Sequence, residues 1–483
     1  MVKRQPFSIH SSNPASQDFV SNTLIQKRRL IADRMRSSSL QRRMMLLAVI
    51  VFTIALPRAG IVIPGLNLPL PAGFVLIQFI FWHHLFSGRI SRIDRALLDK
   101  AQLFIFALFL AGLFGLMRGA VLKMVVIDLS TAVGPVPAFF AMIWLIREER
   151  DLTFALKCIS MCILAASVYG VVQYYFGTSV LIRGLTYNAG NEYAKVNLTY
   201  GAGNKVLSSY GDPNVFANAL ILYFPLLLTA LHGMRTAGRF FFWRNIVNGA
   251  LLAAGVALLY CDSRAGYLGL MIGAGGVFWK TNRRMLHAVL PLLLAFGIAS
   301  ELGIMKRTKD FNKRLNFGSG DPRSDYAWMF REIMLSYPEG TGLGVQAEVG
   351  DVVEQKIVLT TVGSVWQMFN SFYMHLASRS GLLGLVSFLY MCLSYAWYPW
   401  RFAHSPACPK EWKPVIWGQT MGIAAIQIGL LANPIYVLPG GGTNMWLALG
   451  LACSVRRVFE GAAARRPGIE PVRLTRRWLG QRA

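Results

Sequence analysis

Long apolar runs, separated by short polar and basic turns, dominate the chain from about residue 44 onward. Runs of this kind that are apolar on every face read as helices buried in lipid or in one another. A helix needs roughly 20 residues to cross a hydrocarbon core of about 30 Å. The pattern predicts about 12 such helices, at 44–57, 69–87, 101–117, 126–146, 153–176, 213–232, 245–262, 264–279, 285–304, 371–399, 414–433 and 443–455. The expected fold is therefore all-α and polytopic. Two connections are long, about 177–212 and 305–370; the others are short turns.

Composition agrees with this pattern, because a chain of 483 residues that is 54% hydrophobic has more apolar side chains than one soluble core accommodates. The formal net charge of +26 then needs placing. Lys27, Arg28, Arg29, Arg34, Arg36, Arg42 and Arg43 precede the first run, and Arg456, Arg457, Arg465, Arg466, Arg473, Arg476 and Arg477 follow the last. Basic residues are retained on the cytoplasmic side, so both termini are expected there. Alternating the spans puts Arg89, Arg92 and Arg95, Arg235, Arg239 and Arg244, and Lys280, Arg283 and Arg284 on the same face. The charge thus sets topology and meets anionic lipid heads, and no nucleic-acid partner is expected. Residues 1–43 read as a basic, disordered cytoplasmic leader with no signal peptide, 44–455 as the membrane domain, and 456–483 as a basic cytoplasmic tail.

Both long connections fall on the outer face in this topology. The second is unusual for an external loop in carrying Lys306, Arg307, Lys309, Lys313, Arg314, Arg323 and Arg331, which fits an anionic ligand. Asp262-Ser263-Arg264 interrupts an apolar stretch and is expected to turn a helical hairpin at the outer boundary. Arg264 there either snorkels to phosphates and caps a helix, or belongs to a site, since an unpaired charge at membrane depth costs several kcal/mol. Cys158, Cys162, Cys261, Cys392, Cys408 and Cys453 lie in helices, at a helix end or in a cytoplasmic loop, and neither a structural disulfide nor a metal site is expected of them.

Four stretches carry more information. Tyr210-Gly-Asp-Pro-Asn214 opens a helix that contains Pro225, with capping at Asp212 or the residue before it and Pro213 in the first turn. Ser263-Arg264-Ala265-Gly266 precedes Gly269 at the hairpin. Residues 318–344 place Arg323 and aromatic residues ahead of Pro338-x-Gly340-x-Gly342-x-Gly344, and residues 369–385 end in Gly381-Leu-Leu-Gly384-Leu. The glycine-rich segment reads as a tight turn that lets backbone approach a substrate, since no βαβ pattern surrounds it.

In this order, about residues 160–395 resemble the bacterial O-antigen ligase and O-antigen or exopolysaccharide polymerase superfamily. The resemblance implies a metal-independent membrane glycosyltransferase, similar to type C enzymes and without a cofactor, in the bacterial inner membrane. It implies an undecaprenyl-pyrophosphate-linked oligosaccharide as substrate, taken from membrane lipid at the outer leaflet, with a chain-length regulator and other polysaccharide assembly proteins as partners. Arg264 and Arg323 stand where the family has its pyrophosphate-interacting arginines, whose planar forks match phosphate oxygens. Arg331 and Arg183 are assisting candidates, and Asn214 and Asn370 are candidates for contacting the saccharide. Ligases of this family carry a His-Asn pair before the Gly-Leu-Leu-Gly helix; here alignment from Gly381 puts Asn370 and Ser371 at those positions, and alignment on Asn370-Ser371 puts Phe369 at that of the histidine. Neither supplies the histidine, which favours the polymerase over the ligase that transfers glycan to lipid A core. A proton acceptor is still required. His375 is the nearest histidine, read either as that base or as a packed polar residue, with Asp325 and Glu332 as alternatives.

Smaller features have simpler readings. Asp128 is expected to pair with Lys123; Gln173, Tyr174 and Tyr175 anchor a helix at the interface or stack on sugar. The rival class is a transporter of lipid-linked sugar or an anionic solute, whose usual signs are inverted repeats and discontinuous helices.

Overall fold

The structure is a computed structural model and describes residues 38–63, 68–87, 92–176, 206–236, 241–261, 263–281, 330–351, 356–360, 371–432 and 441–463. Thirteen helices fall within them: α1 (Ser38–Ala55), α2 (Ala72–Phe86), α3 (Arg92–Met117), α4 (Leu122–Val133), α5 (Pro137–Leu145), α6 (Glu149–Phe176), α7 (Pro213–Thr236), α8 (Phe241–Cys261), α9 (Arg264–Thr281), α10 (330–336), α11 (Phe372–Ala403), α12 (Trp412–Ala432) and α13 (Gly441–Ala463). Among the described residues, 8 spans are long and apolar enough to cross a membrane. The expected span at 285–304 lies outside the described residues. Those at 69–87, 264–279 and 443–455 coincide with helices α2, α9 and α13 that are not among the 8.

Two features depart from the run-by-run reading. α1 is described from Ser38, so Arg42 and Arg43 are already helical, and it ends in a π-helical turn at Val51–Ala55. The 126–146 run is split into α4 and α5, because Pro135 and Pro137 lack the N–H that a continuous helix needs. Pro137 then opens α5, all nine residues of which are buried. The fold is all-helical as expected, with two short hairpins outside the helices: β1 (Gly60–Ile63) pairs antiparallel with β2 (Leu68–Pro71), and β3 (Gln346–Asp351) with β4 (Lys356–Thr360). Ile61, Val62 and Ile63 favour extended backbone, and Pro69 and Pro71 confine their partner to an edge strand.

α7 is the centre of the bundle, with 78% of its span buried. It packs on α8, α9 and α12. Small residues permit the close approach: Gly418 and Gly422 of α12 face Thr229 and the Leu222 carbonyl, while Gly269 and Gly273 of α9 face Ile221 and Pro225. α6 packs on α8, α5 on α13, and α11 on α3 and α12.

The bundle has two unlike ends. At the basic end Arg43 Nε meets the fully buried Asp151 at 2.9 Å, Arg42 meets Glu148 at 3.4 Å, and Trp412 donates to Glu149 at 3.2 Å. Arg456 pairs with Glu460 at 2.9 Å and Arg457 donates to the Ile143 carbonyl at 2.8 Å. At the opposite, loop end, residues 206–212 fold into the bundle. Their burial is tolerated because the polar groups find partners: Ser208 donates to the Ala166 carbonyl, Ser209 to that of Ala55, and Tyr210 to that of Ile54. Asn444 of α13 joins them, accepting from Tyr223 and donating to Tyr210 and the Thr53 carbonyl.

Candidate functional site

Within the Tyr210–Asn214 motif, Gly211 has a φ of 65°, the left-handed turn that releases the chain into α7. Asp212 caps α7 as its sequence position predicts, its Oδ1 accepting from Asn214 N at 2.8 Å and Val215 N at 3.0 Å. Across from it, buried Ser263 immediately precedes α9: its Oγ accepts from Gly266 N at 3.3 Å and donates to Asn214 Oδ1 at 3.0 Å. Two sequence motifs thus close on each other through Asn214 and Ser263, and Arg264 is the first residue of α9 beside that contact.

Arg58, in the turn after α1, belongs to this cluster. It is buried, with Asp212 as its charged neighbour; burial pushes its pKa down and Asp212 opposes the shift. Sequence reasoning passed over Arg58 because it borders the first apolar run. The available signal was its sign: a cation at the end of the bundle where basic residues should be scarce.

A second cluster surrounds a break in α11. Gly381 has φ 65° and ψ −171°, which stops the helical ladder. The Ser378 and Arg379 carbonyls accept instead from Thr341 N at 2.7 Å and Gly342 N at 3.0 Å, and Leu382 N turns to the Pro338 carbonyl at 3.4 Å. Residues 337–345 are therefore an insert that supplies the backbone partners which the broken helix lacks. On its other side Leu343 N donates to the Ala111 carbonyl of α3 at 2.9 Å. Gly340, Gly342 and Gly344 all have positive φ, and at Gly340 a Cβ would stand 2.5 Å from Gly381 N. The glycine-rich turn expected here is present, and what its backbone approaches is the protein's own helices. Arg118 clamps its start, bonding Glu339 at 2.5 Å, donating to the Gly340 carbonyl, and lying over the Tyr337 ring at 4.7 Å.

Below the insert Asp128 and Arg379 form a buried ion pair, 3.4 Å apart with side chains 5% and 3% exposed. Asp128 also accepts from Gly344 N at 2.7 Å, and Arg379 donates to the Val345 carbonyl. This corrects the expected Asp128–Lys123 pairing: Asp128 sits on the face of α4 turned to α11, where an arginine meets it within the bundle. Arg379 Nε and Nη2 are buried and have no hydrogen-bond partner among the described residues. Both residues line a cavity of about 20 Å³ together with Thr131, Phe372, Leu376 and His375. That volume holds about one water.

The predicted site residues divide accordingly. His375 lines the Arg379 cavity, and Asn214 lies in the α7–α9 cluster. Arg331 is exposed and Glu332 half-buried on α10, which leads directly into the insert. Asp325, Arg323, Arg183 and Asn370 lie outside the described residues, as does Asp262. Gln173 is buried and donates to the Ser208 carbonyl at 3.2 Å, so it locks the 206–212 segment, whereas Tyr174 stacks on Tyr260 with centroids 4.1 Å apart and Tyr175 is exposed. Arg118, Glu339, Arg379 and Arg58 are charged residues of these clusters that sequence reasoning did not single out. The sequence matches no protein-family model and no curated protein.

Proposed function

We propose that this chain is a membrane glycosyltransferase that polymerises undecaprenyl-pyrophosphate-linked repeat units at the outer leaflet of a bacterial inner membrane, with both termini in the cytoplasm. One observation carries the reading. The described parts of all four motif stretches gather at the loop end, where Asn214 bonds Ser263 and the glycine-rich insert bonds the Ser378–Gly381 turn. The basic end lies opposite, as cytoplasmic retention of cations requires.

The roles follow from chemistry. Cleaving a sugar from a pyrophosphate leaves negative charge that guanidinium forks stabilise in a site shielded from water. Arg264 and Arg323 hold the pyrophosphate in this reading, Arg58 beside Asp212 adds a third guanidinium at the same end, and Arg183 and Arg331 assist. Asn214 and Asn370 orient the saccharide. For the base, Glu332 on α10 is the more accessible candidate, since His375 faces a cavity with room for about one water; Asp325 is the third. Each transfer breaks the donor's glycosyl–phosphate bond, forms a glycosidic bond to the acceptor hydroxyl, and passes that hydroxyl's proton to the base.

A second reading has its own observation. A broken helix with a buried Asp128–Arg379 pair beside the break is the arrangement by which transporters build a binding site. The two readings part in one experiment: purified protein is given a defined lipid-linked repeat unit without added metal. A ladder of longer products supports the polymerase, with Arg264→Ala and Arg58→Ala each lowering the rate by roughly 100-fold or more. Transfer only onto lipid A core identifies a ligase. No product from either acceptor, with movement of the lipid-linked sugar across proteoliposomes, replaces the enzyme by the transporter.

A further inference from the structure

A groove of about 420 Å³ runs along the lipid-facing side of α11 where it borders α12, lined by Tyr390, Leu393, Trp397, Trp400 and Thr420. It lies in the half of the bundle nearer the basic end, since Tyr395 of α11 bonds the Leu97 carbonyl close to the start of α3 and Arg456 bonds the Tyr398 carbonyl. Its walls are large apolar side chains turned outward: Leu393 is 69% and Trp397 62% exposed. From Tyr390 to Trp400 is ten residues, about 15 Å of helix. That is a path for an acyl chain.

Cations stand at both ends. Lys280, the last turn of α9, lies over the Trp417 ring at 4.6 Å, and Trp417 packs on Trp400 at 4.0 Å. Arg401 is exposed one residue beyond Trp400. At the other end Lys100, inside the α3 span, donates to Tyr390 Oη at 2.9 Å and lies 5.4 Å from its ring. Asp99, the acidic neighbour, accepts from Gln102 at 3.4 Å. An apolar channel with ammonium and guanidinium groups at its interfacial mouth and interfacial tryptophans beside them is complementary to a lipid whose head is anionic.

We propose that this groove is a binding site for an anionic phospholipid of the leaflet at the basic end, its phosphate between Lys280 and Arg401 and one acyl chain laid past Trp397 and Leu393 toward Tyr390. The site is remote from the loop end and independent of the reaction proposed there. The test uses the full chain, purified and delipidated in detergent, titrated with phosphatidylglycerol or phosphatidylcholine while bound lipid is counted by native mass spectrometry. The expected result is a preference for phosphatidylglycerol that Lys280→Gln with Arg401→Gln lowers roughly 25-fold, about fivefold for each cation. Trp397→Ala is expected to weaken both lipids alike. Equal retention of the two lipids by the unaltered protein, or an undiminished preference in the double variant, overturns the site. Both cations are exposed at helix ends, so the variants are expected to fold, and their melting temperatures without added lipid check this.

Discussion

At the scale of single residues, the buried Asp128–Arg379 pair bears directly on stability. Removing one partner of a buried pair leaves the other charge uncompensated, at a cost of about 3–5 kcal/mol, whereas replacing both by apolar side chains of similar size is close to neutral. Asp128→Leu is therefore expected to lower the unfolding temperature in detergent sharply, and Asp128→Leu with Arg379→Met to recover most of the loss. Additive losses in the double variant would show that each residue acts through other contacts, such as the Gly344 and Val345 bonds. Cys408 offers a pH test outside the spans. Its side chain is buried in the turn between α11 and α12, and burial raises its pKa to about 11. Only the thiolate reacts, so at pH 8 about 0.1% of the group is competent. Alkylation of Cys408 in the native protein is expected to stay slow through pH 9 and to rise about tenfold per pH unit up to its pKa; a rate that levels off near pH 9 would mean an ordinary, solvated thiol.

At the scale of elements, the glycine insert and the break in α11 depend on each other. Each supplies the backbone partners that the other lacks, so a change that restores helix at one should expel the other. Gly381→Ala tests this. Alanine does not settle at φ 65°, ψ −171°, and its Cβ would lie 2.5 Å from the Glu339 carbonyl carbon. Backbone strain of this kind costs of order 1–3 kcal/mol, and relieving it by closing the helix would free Thr341 and Gly342. The expected outcome is an unchanged far-UV helix signal together with faster proteolysis and amide exchange across 337–345; unchanged exchange there would mean that the insert holds without the break. This interlock also marks where sequence stopped being informative. Helix positions were legible because twenty apolar residues in a row admit few other structures in lipid. The Ser378–Gly381 turn was not, since glycine is common in membrane helices and the compensating donors lie near residue 340. Asp212 capping α7 was legible because it is local; the Asp128–Arg379 pair, 251 positions apart, had no local signature.

At the scale of the whole molecule, orientation decides whether the proposed chemistry has access to its substrate. A lipid-linked donor presented at the outer leaflet is reached only if the loop end, with Arg58, Asn214 and the start of α9, faces outward. The distribution of cations argues that it does: Arg42, Arg43, Arg456 and Arg457 all stand at the opposite end, and three of them are held there by carboxylates, among them the fully buried Asp151. Two exposed positions report the two faces. Val121, in the turn between α3 and α4, is 56% exposed at the loop end, and Lys410 is exposed in the turn between α11 and α12 at the basic end. The six described cysteines are buried, so the native thiols give a low background. In intact spheroplasts a membrane-impermeant maleimide is expected to label Val121→Cys at once and Lys410→Cys only after lysis. The opposite pattern would put the motif-bearing end in the cytoplasm, where nucleotide-activated and lipid-linked sugars are assembled, and polymerisation at the outer leaflet would then have no physical basis whatever the loop-end arginines do in a purified assay.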